Sequence, residues 1–170
     1  MKVRKLTGMA LLVAVGTAGG VLSIPLPLLG AKVAPVQHAI NVLAAVMYGP
    51  GPAVMIAFLI GLLRNLLATG TILAFPGGMI GAFIAGIAFR AYPKNSAAAV
   101  GEVFGTGVLG ALAAFPLARF FLGRDVLALT YVVPFALSSF TGAVVGCVVL
   151  KLFMAIGQKE LQSLKEKSCQ

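Results

Sequence analysis

Polar side chains that could bind a small molecule occur on three apolar segments of the chain. His38 and Asn41 lie three residues apart and therefore share one face of a helix. At about 1.5 Å per helical residue, three sets of side chains reach a similar depth near the outer surface of a membrane-spanning bundle: His38 with Asn41, Arg64 with Asn65, and Tyr131 with Ser138. The loop with Thr71 and Phe75 lies beside them. Convergent polar groups in an apolar bundle indicate a small-molecule pocket. The predicted ligand-binding residues are His38, Asn41, Arg64, Asn65, Thr71, Phe75, Tyr131 and Ser138.

Each of these residues also has a purely structural interpretation. The Arg64 side chain could extend to the outer membrane interface, and His38 with Asn41 could bridge two helices. The hydroxyls of Thr71 and Ser138 could bond the backbone. The common depth of these side chains favours a pocket. An ionisable residue inside a span also suggests a function, because its insertion costs about 2.5 to 3.5 kcal/mol.

Glu102 is expected to lie below the level of the pocket. It comes one to two helical turns after the inner end of its segment, so a direct pair with Arg64 would be too long by about 10 Å of axial rise. We therefore expect a structural or coupling role for Glu102 rather than contact with the ligand.

The sequence contains no pattern typical of an enzyme. A single histidine excludes a histidine-rich metal site, and no cysteine–histidine cluster, phosphate-binding loop or serine-nucleophile motif is found. We predict no catalytic residue, no metal and no cofactor. Without a nucleotide-binding sequence, the chain by itself cannot use ATP to drive transport.

The composition is that of an integral membrane protein. Of the 170 residues, 60% are hydrophobic and 10% are charged, whereas about a quarter of the residues in soluble domains are charged. A spanning helix needs about 20 mostly apolar residues, so the chain has room for about six. We expect an all-α bundle of six transmembrane helices over residues 1–157, which binds the substrate, and a polar cytoplasmic tail over residues 158–170.

Proline and glycine divide the apolar sequence into these helices. The segment 25–27 ends the first helix, 49–52 is predicted as a tight turn, and 69–78 as a partly buried loop. The predicted helices cover residues 6–24, 34–48, 53–68, a segment that ends near Phe89, 97–117 and 126–156.

Basic residues predict the orientation of the bundle, because lysine and arginine are retained on the cytoplasmic side. With both termini in the cytoplasm, the outer face keeps only Lys32, Arg119 and Arg124. This asymmetry explains the net charge of +9 without a nucleic-acid partner. The inner face then holds Lys2, Arg4, Lys5, Arg90, Lys94, Lys151, Lys159, Lys165 and Lys167.

Small residues at four-residue spacing predict close helix contacts. Gly101 with Gly105, and Gly142 with Gly146, suit packing inside the bundle. Another stripe, formed by Ala10, Ala14 and Ala18 and hereafter called the alanine stripe, lies near the cytoplasmic end of the first helix. It is predicted either to pack inside the bundle or to dock another membrane protein.

The sequence resembles the ThiW family, the substrate-capture subunits (S-components) of energy-coupling factor transporters. The resemblance covers roughly residues 6–150 and is most specific over residues 38–78. It rests on His38-Ala-Ile-Asn41, Tyr48-Gly-Pro-Gly-Pro52, Gly61-Leu-Leu-Arg-Asn65, Thr69-Gly-Thr-Ile-Leu-Ala-Phe-Pro-Gly-Gly78 and Gly101-Glu-Val-Phe-Gly-Thr106.

This resemblance implies a six-helix S-component fold in the prokaryotic cell membrane, with the ligand held near the outer face. The implied ligand is hydroxyethylthiazole, a precursor of thiamin. The alanine stripe would contact a membrane-embedded coupling subunit, and two cytoplasmic ATPases would drive import. We expect His38 or Asn41 to bond the thiazole nitrogen, Arg64 or Asn65 to bond the hydroxyl, and the rings of Phe75 and Tyr131 to pack on the ligand.

Two other functions remain open from the sequence. The chain could be a stand-alone secondary transporter or channel in which Arg64 and Glu102 relay ions or protons. Alternatively, it could be a purely structural membrane subunit without a ligand.

Overall fold

The fold is a bundle of helices with one short hairpin. This computed structural model describes residues 3–26, 31–125, 127 and 129–168, with side chains as far as Ile156 except those of Leu26 and Ala31. The helices are α1 (Val3–Ala18), α2 (Pro35–Tyr48), α3 (Pro50–Leu66), α4 (Ala74–Ala91), α5 (Asn95–Phe104), α6 (Ala111–Phe121) and α7 (Val132–Ser168). A 3-10 turn, Gly19–Leu22, follows α1, and a π-helical segment, Gly105–Gly110, joins α5 to α6.

Within the described residues, four helical stretches are long and apolar enough to cross a membrane. They are Val3–Leu22, Ala74–Ala91, Asn95–Phe121 and Val132–Ile156. Helix α3, with 17 residues, and α2, with 14, are apolar but shorter. The protein is therefore a multi-pass membrane protein, since each long stretch satisfies the requirement of about 20 apolar residues.

Helix α2 lies at the centre of the bundle. Every residue from Gln37 to Ala45 is buried, which is typical of a helix that other helices surround on all sides. Helix α2 packs against α7, α4 and α3, whereas α1 lies at the periphery against α3 and α2. Polar groups in the first half of α2 therefore face other helices instead of lipid.

Glycines at four-residue spacing permit this close packing. A Cβ added at Gly146 of α7 would lie 3.0 Å from the carbonyl oxygen of Ala39 on α2. A Cβ at Gly101 would lie 2.9 Å from the Cα of Ala85 on α4, and one at Gly105 would lie 2.9 Å from the Cα of Gly81. The two predicted glycine pairs thus allow the backbones of neighbouring helices to approach closely.

Several predicted boundaries are wrong. Residues 50–52 form the first turn of α3, and only Gly49, with φ +83°, reverses the chain. Proline fits a first helical turn because its missing N–H has no helical acceptor there. Half of the predicted loop 69–78 belongs to α4, which begins at Ala74.

The last helix also differs from its prediction at both ends. It begins at Val132 instead of residue 126 and continues to Ser168, so the backbone of most of the predicted tail is helical. Residues 1, 2, 169 and 170 lie outside the described part of the chain, as do the side chains of the predicted tail.

A two-stranded antiparallel hairpin was not predicted. Strand β1 (Ile24–Leu26) pairs with β2 (Ala31–Val33), with Pro25 opposite Lys32. The paired strands connect α1 to α2, and Lys32 lies on the second strand near the start of α2.

Candidate functional site

A small, partly open cavity lies among α2, α3, α4, the π-helical segment and α7. Its volume is about 30 Å³, which is room for one or two water molecules. Polar side chains from separate elements converge on it although the surrounding bundle is apolar. We call it the polar cavity; its lining consists of Lys32, Ala34, Gln37, His38, Arg64, Thr71, Leu73, Ala74, Gly77, Gly78, Thr106, Phe135 and Ser138.

The first turns of α2 bring Gln37 and His38 to the cavity. Pro35 occupies the start of this helix, and the backbone N–H of Ala34 donates to Ser138 Oγ at 2.7 Å. This bond fastens the beginning of α2 to α7. Ser138 therefore has a structural role and also lines the cavity.

Arg64 projects from the last turn of α3 and is 1% exposed. Its Nη1 donates to Gln37 Oε1, and its Nη2 donates to the carbonyl of Thr69 at 3.2 Å. The Arg64 carbonyl accepts from the N–H groups of Thr69 and Gly70, at 2.9 and 2.8 Å. The chain reversal after α3 therefore fixes the backbone and side chain of Arg64 together.

A second positive charge lies on the cavity wall. Lys32 Nζ donates to the carbonyl of Ala68 at 3.0 Å, and Ala68 follows α3 in the left-handed conformation, with φ 56°. Lys32 and Arg64 both have neutral carbonyl or amide oxygens as their described hydrogen-bond acceptors. The cavity lining is therefore electropositive.

Glu102 lies closer to the predicted ligand-binding residues than expected, although it does not line the polar cavity. Its Oε1 lies 2.7 Å from His38 Nδ1 and 3.0 Å from Asn41 Nδ2. Ten residues separate His38 from Tyr48 at the end of α2, and seven separate Asn95 from Glu102 on α5, so their heights differ by only about 5 Å. The His38 and Glu102 side chains bridge this difference.

Thr106 completes this network from the π-helical segment. Its Oγ1 lies 3.0 Å from both the Gly77 carbonyl and Glu102 Oε1. Single π-helical turns often occur at functional sites. Gly81 leaves space for the carboxylate, because an added Cβ there would lie 2.8 Å from Glu102 Oε2.

Half of the predicted ligand-binding residues line the polar cavity: His38, Arg64, Thr71 and Ser138. Asn41 and Asn65 use both amide hydrogens within the protein. Asn41 donates to Gly78 and Glu102, and Asn65 donates to the carbonyls of Gly61 and Thr71 at 2.8 and 3.1 Å. These two asparagines hold the surrounding elements together, and contact between either one and a ligand stays a prediction.

The two predicted aromatic contacts also lie outside the lining. The ring of Phe75 packs against Phe58, with centroids 5.8 Å apart, and Tyr131 packs against Phe135 at 6.0 Å. Burial raises the pKa of the Tyr131 phenol, although the positive charge of Arg124 acts in the opposite direction. Phe135 is the aromatic side chain on the cavity wall, and it was not among the predicted ligand-binding residues.

Three further residues on the cavity wall were not predicted from the sequence: Lys32, Gln37 and Thr106. A signal existed for Gln37, which is an amide next to His38 at the start of an apolar helix. Thr106 lies four residues after Glu102, a spacing that puts both side chains on one helix face. Lys32 was assigned only to the outer loop, because its strand was not predicted.

A larger apolar groove lies between α5 and α7. Its volume is about 670 Å³, and its lining includes Val100, Phe104, Phe140 and Val144. These four side chains lie on the outer surface of long apolar helices. A groove of this composition suits contact with lipid chains and offers few groups for recognising a polar ligand.

The alanine stripe lies on the outer surface of α1. Ala10, Ala14 and Ala18 are exposed, whereas Gly16 faces inward, against Ile60 and Ile40. The stripe is thus available to another membrane protein and is not used for packing inside the bundle.

Comparison with known protein families identifies the chain. The family model described as "Thiamine-precursor transporter protein (ThiW)" matches residues 6–156. The chain belongs to the ThiW family. No curated protein sequence matches this ThiW chain.

The fold of this ThiW chain has also been observed before. A solved structure, described as "Structure and mechanism of the S component of a bacterial ECF transporter", matches with a TM-score of 0.69 and 14% sequence identity. The match covers 95% of this ThiW chain and 99% of the other. The chain therefore has the S-component fold, and its family and fold are those of a transporter subunit and not of an enzyme.

Proposed function

We propose that this protein is the substrate-binding subunit of an ATP-driven energy-coupling factor importer, and that it captures hydroxyethylthiazole from outside the cell. The observation that carries the proposal is the polar cavity, where His38, Gln37 and Arg64 meet inside an otherwise apolar bundle. Membership of a thiamine-precursor transporter family supports a ligand of this chemical class.

The ligand would occupy the polar cavity after its lining opens. A volume of about 30 Å³ is far below the ~300 Å³ of the smaller ligand pockets in proteins. Binding therefore requires side chains or backbone on the cavity wall to move apart. A site of this kind opens to admit a small ring and closes around it.

The polar groups on the wall suit a heteroaromatic alcohol. Arg64 and Lys32 can donate hydrogen bonds, and His38 has one ring nitrogen free of described protein partners. Thr71 and Ser138 supply hydroxyls, and Phe135 supplies an aromatic surface. Asn41, Asn65, Phe75 and Tyr131 support these groups from behind the lining.

The whole chain would span the membrane six times, with both termini in the cytoplasm of a prokaryotic cell. Helices α5 and α6 form one continuous stretch, so the described chain contains six helical rods. An even number of spans returns the C-terminus to the side of the N-terminus and keeps most basic residues inside. In this orientation the start of α2 and the end of α3 face outward.

Transport would require three other subunits. The alanine stripe is the proposed contact with a membrane-embedded coupling subunit, because its small, exposed side chains allow close approach of another helix. Two cytoplasmic ATPases would hydrolyse ATP, and this chain would need no cofactor of its own.

Calorimetry on the purified chain tests the ligand assignment. Titration with hydroxyethylthiazole should give a heat signal that fits one binding site per chain. Thiamin and its pyrimidine precursor should bind more weakly. The His38→Ala variant should lose most of this affinity, whereas Thr141→Ala should keep it, because the described bonds of Thr141 Oγ1 go to backbone carbonyls of its own helix. Absence of thiazole binding by the folded wild-type chain would reject the assignment.

A further inference from the structure

The carboxylate of Glu102 is the centre of a buried network behind the polar cavity. Glu102 is fully buried and does not line the cavity. Its Oε1 is within hydrogen-bond distance of His38 Nδ1 at 2.7 Å, Asn41 Nδ2 at 3.0 Å and Thr106 Oγ1 at 3.0 Å. Its Oε2 has no hydrogen-bond partner. A carboxylate held in this way can act on a ligand only through another side chain.

We propose that Glu102 is a positioning residue that fixes His38 with a hydrogen on Nδ1, so that Nε2 accepts a hydrogen bond from the hydroxyl of the ligand. This inference rests on the proposed function and deepens it. It identifies the hydroxyl as the group of the alcohol that the site selects, and it assigns that selection to the His38–Glu102 pair.

The direction of the Nδ1 bond follows from the chemistry of its acceptor. An ionised carboxylate carries no hydrogen and can only accept. Asn41 supports this direction, since Nδ2 donates to both Gly78 O and Glu102 Oε1, an arrangement that suits an amide nitrogen facing two acceptors. His38 Nδ1 must then donate to the same oxygen atom.

The proposed form of His38 is a neutral ring. It adds no further positive charge to a cavity that Lys32 and Arg64 already line. A neutral ring with its hydrogen on Nδ1 carries a lone pair on Nε2.

The Nε2 atom is the part of His38 available to a ligand. His38 lines the cavity, and its described protein bond is made through Nδ1. The thiazole nitrogen carries no hydrogen and cannot bond to a lone pair, whereas the alcohol can. The hydroxyl therefore lies at His38, and the ring nitrogen is left for a donor such as Arg64. This orientation reverses the pairing expected from the sequence.

An analogue with fluorine in place of the hydroxyl tests the selection. Fluorine is close in size to a hydroxyl but cannot donate a hydrogen bond. In calorimetry on the full chain, the fluoroethyl analogue should bind at least about tenfold more weakly than hydroxyethylthiazole, as expected when a buried acceptor loses its partner. Equal affinities for the two compounds would overturn the inference. Failure of both compounds to bind would reject the proposed ligand, and the spectrum described next would still test the histidine.

The positions of the hydrogens on the His38 ring can be observed directly by NMR. The sequence contains one histidine, so labelling histidine with ¹⁵N reports on His38 alone. The spectrum of the wild-type chain at neutral pH should show a neutral ring with hydrogen on Nδ1. A neutral ring with hydrogen on Nε2, or a doubly protonated ring, would overturn the proposal.

Two substitutions of Glu102 distinguish a positioning role of its carboxylate from a role in packing. Glu102→Gln places a carbonyl oxygen where three donors meet, and should keep both the Nδ1–H form and ligand affinity within about threefold. Glu102→Met has a similar length but no acceptor, and should lose the Nδ1–H preference and at least about tenfold in affinity. Equal affinities for these two folded variants would contradict the positioning role. If the Met variant fails to fold, the fluoroethyl comparison and the wild-type spectrum decide.

Ser139→Ala provides the matched control. Ser139 is fully buried, but its hydroxyl bonds only the carbonyls of Phe135 and Ala136 on its own helix among the described residues. This variant should leave the His38 spectrum and the preference for hydroxyl over fluorine unchanged. A change as large as that of Glu102→Met would show that general loosening of the core, and not the Glu102 carboxylate, sets the His38 ring.

Discussion

Arg64 is a buried cation whose described hydrogen bonds go to neutral oxygens. Its guanidinium holds both Gln37 and the Thr69 carbonyl, and its Nε has no partner. A buried charge normally needs full compensation. At this position, incomplete compensation fits a group that also binds a ligand, because the ligand would supply the remaining acceptor.

Arg64→Lys should weaken hydroxyethylthiazole binding by about ten- to a hundredfold, which corresponds to the loss of hydrogen bonds from a charged group. A lysine ammonium lacks the planar fork that reaches two separate acceptors. Calorimetry measures the affinity, and thermal unfolding of the same samples shows whether the variant is folded. Arg119→Lys, at an exposed site, is the control and should bind normally. Affinity within twofold of wild type for Arg64→Lys would contradict the assignment.

The sequence predicted which residue types lie near the site better than it predicted their roles. His38 and Arg64 were found because ionisable groups are rare inside spans. Asn41 and Asn65 looked equivalent to them, yet their amides hold backbone carbonyls. Spacing along one helix defines a shared face but not which neighbouring helix covers it, so the residues on the wall could not be separated from those behind it.

Among the structural elements, the contact between α2 and α7 controls the position of His38. Gly142 of α7 lies against His38, since an added Cβ would be 2.6 Å from His38 Cβ and 3.0 Å from Ala39 N. Ser138 on the same helix accepts from the start of α2. The separation of these two helices therefore sets the distance between His38 and the groups it faces.

Gly142→Ala should force α2 and α7 apart and destabilise the protein by about 1 to 3 kcal/mol, the usual cost of overpacking. It should also weaken ligand binding, because the His38 backbone must shift. Gly51→Ala is the matched control, with nothing within 4 Å of the added Cβ, and should unfold at or slightly above the wild-type temperature. Equal unfolding temperatures for the two variants would show that α7 tolerates a methyl group at position 142.

The alanine stripe gives a prediction at the surface of α1. Ala14→Trp should abolish co-purification with the coupling subunit and ATPases while leaving hydroxyethylthiazole affinity unchanged, because the residue is exposed on a peripheral helix that does not line the polar cavity. Val100→Trp on α5, also at an exposed site, should assemble normally. Loss of ligand binding in Ala14→Trp, or normal assembly, would contradict the docking role.

Hydrophobicity was enough to predict that the helices exist, but several helix boundaries depend on local chemistry. Pro50 and Pro52 were interpreted as residues that interrupt a helix, although proline is compatible with a first helical turn. The strand pair around Pro25 and Lys32 is too short to show an alternating pattern. The contact between Glu102 and His38 was not expected, because depths estimated along separate helices accumulate an error from each helix end.

For the whole molecule, the proposed function makes import depend on energy supplied by other subunits. The described network contains no ion pair between Arg64 and Glu102, whose described contacts are with other groups. A relay through these two residues would need them to exchange protons or ions across the cavity. The proposed function instead assigns capture to this chain and release to its docking with the other subunits.

Uptake into sealed vesicles distinguishes these two modes of transport. Vesicles that contain this chain alone should bind labelled hydroxyethylthiazole without accumulating it, even when a proton or sodium gradient is imposed. Addition of the coupling subunit and both ATPases, with ATP, should produce accumulation that an ionophore does not prevent.

The variant Ala14→Trp supplies the decisive comparison in this assay, because it should bind the ligand but not accumulate it in complete vesicles. Glu102→Gln should still support accumulation, since a glutamine keeps the hydrogen-bond acceptor but cannot carry a proton through a carboxylate relay. Gradient-driven accumulation by the chain alone that Glu102→Gln abolishes would favour the stand-alone transporter. Release of the ligand would then be driven by proton movement through Glu102, and not by docking at the alanine stripe.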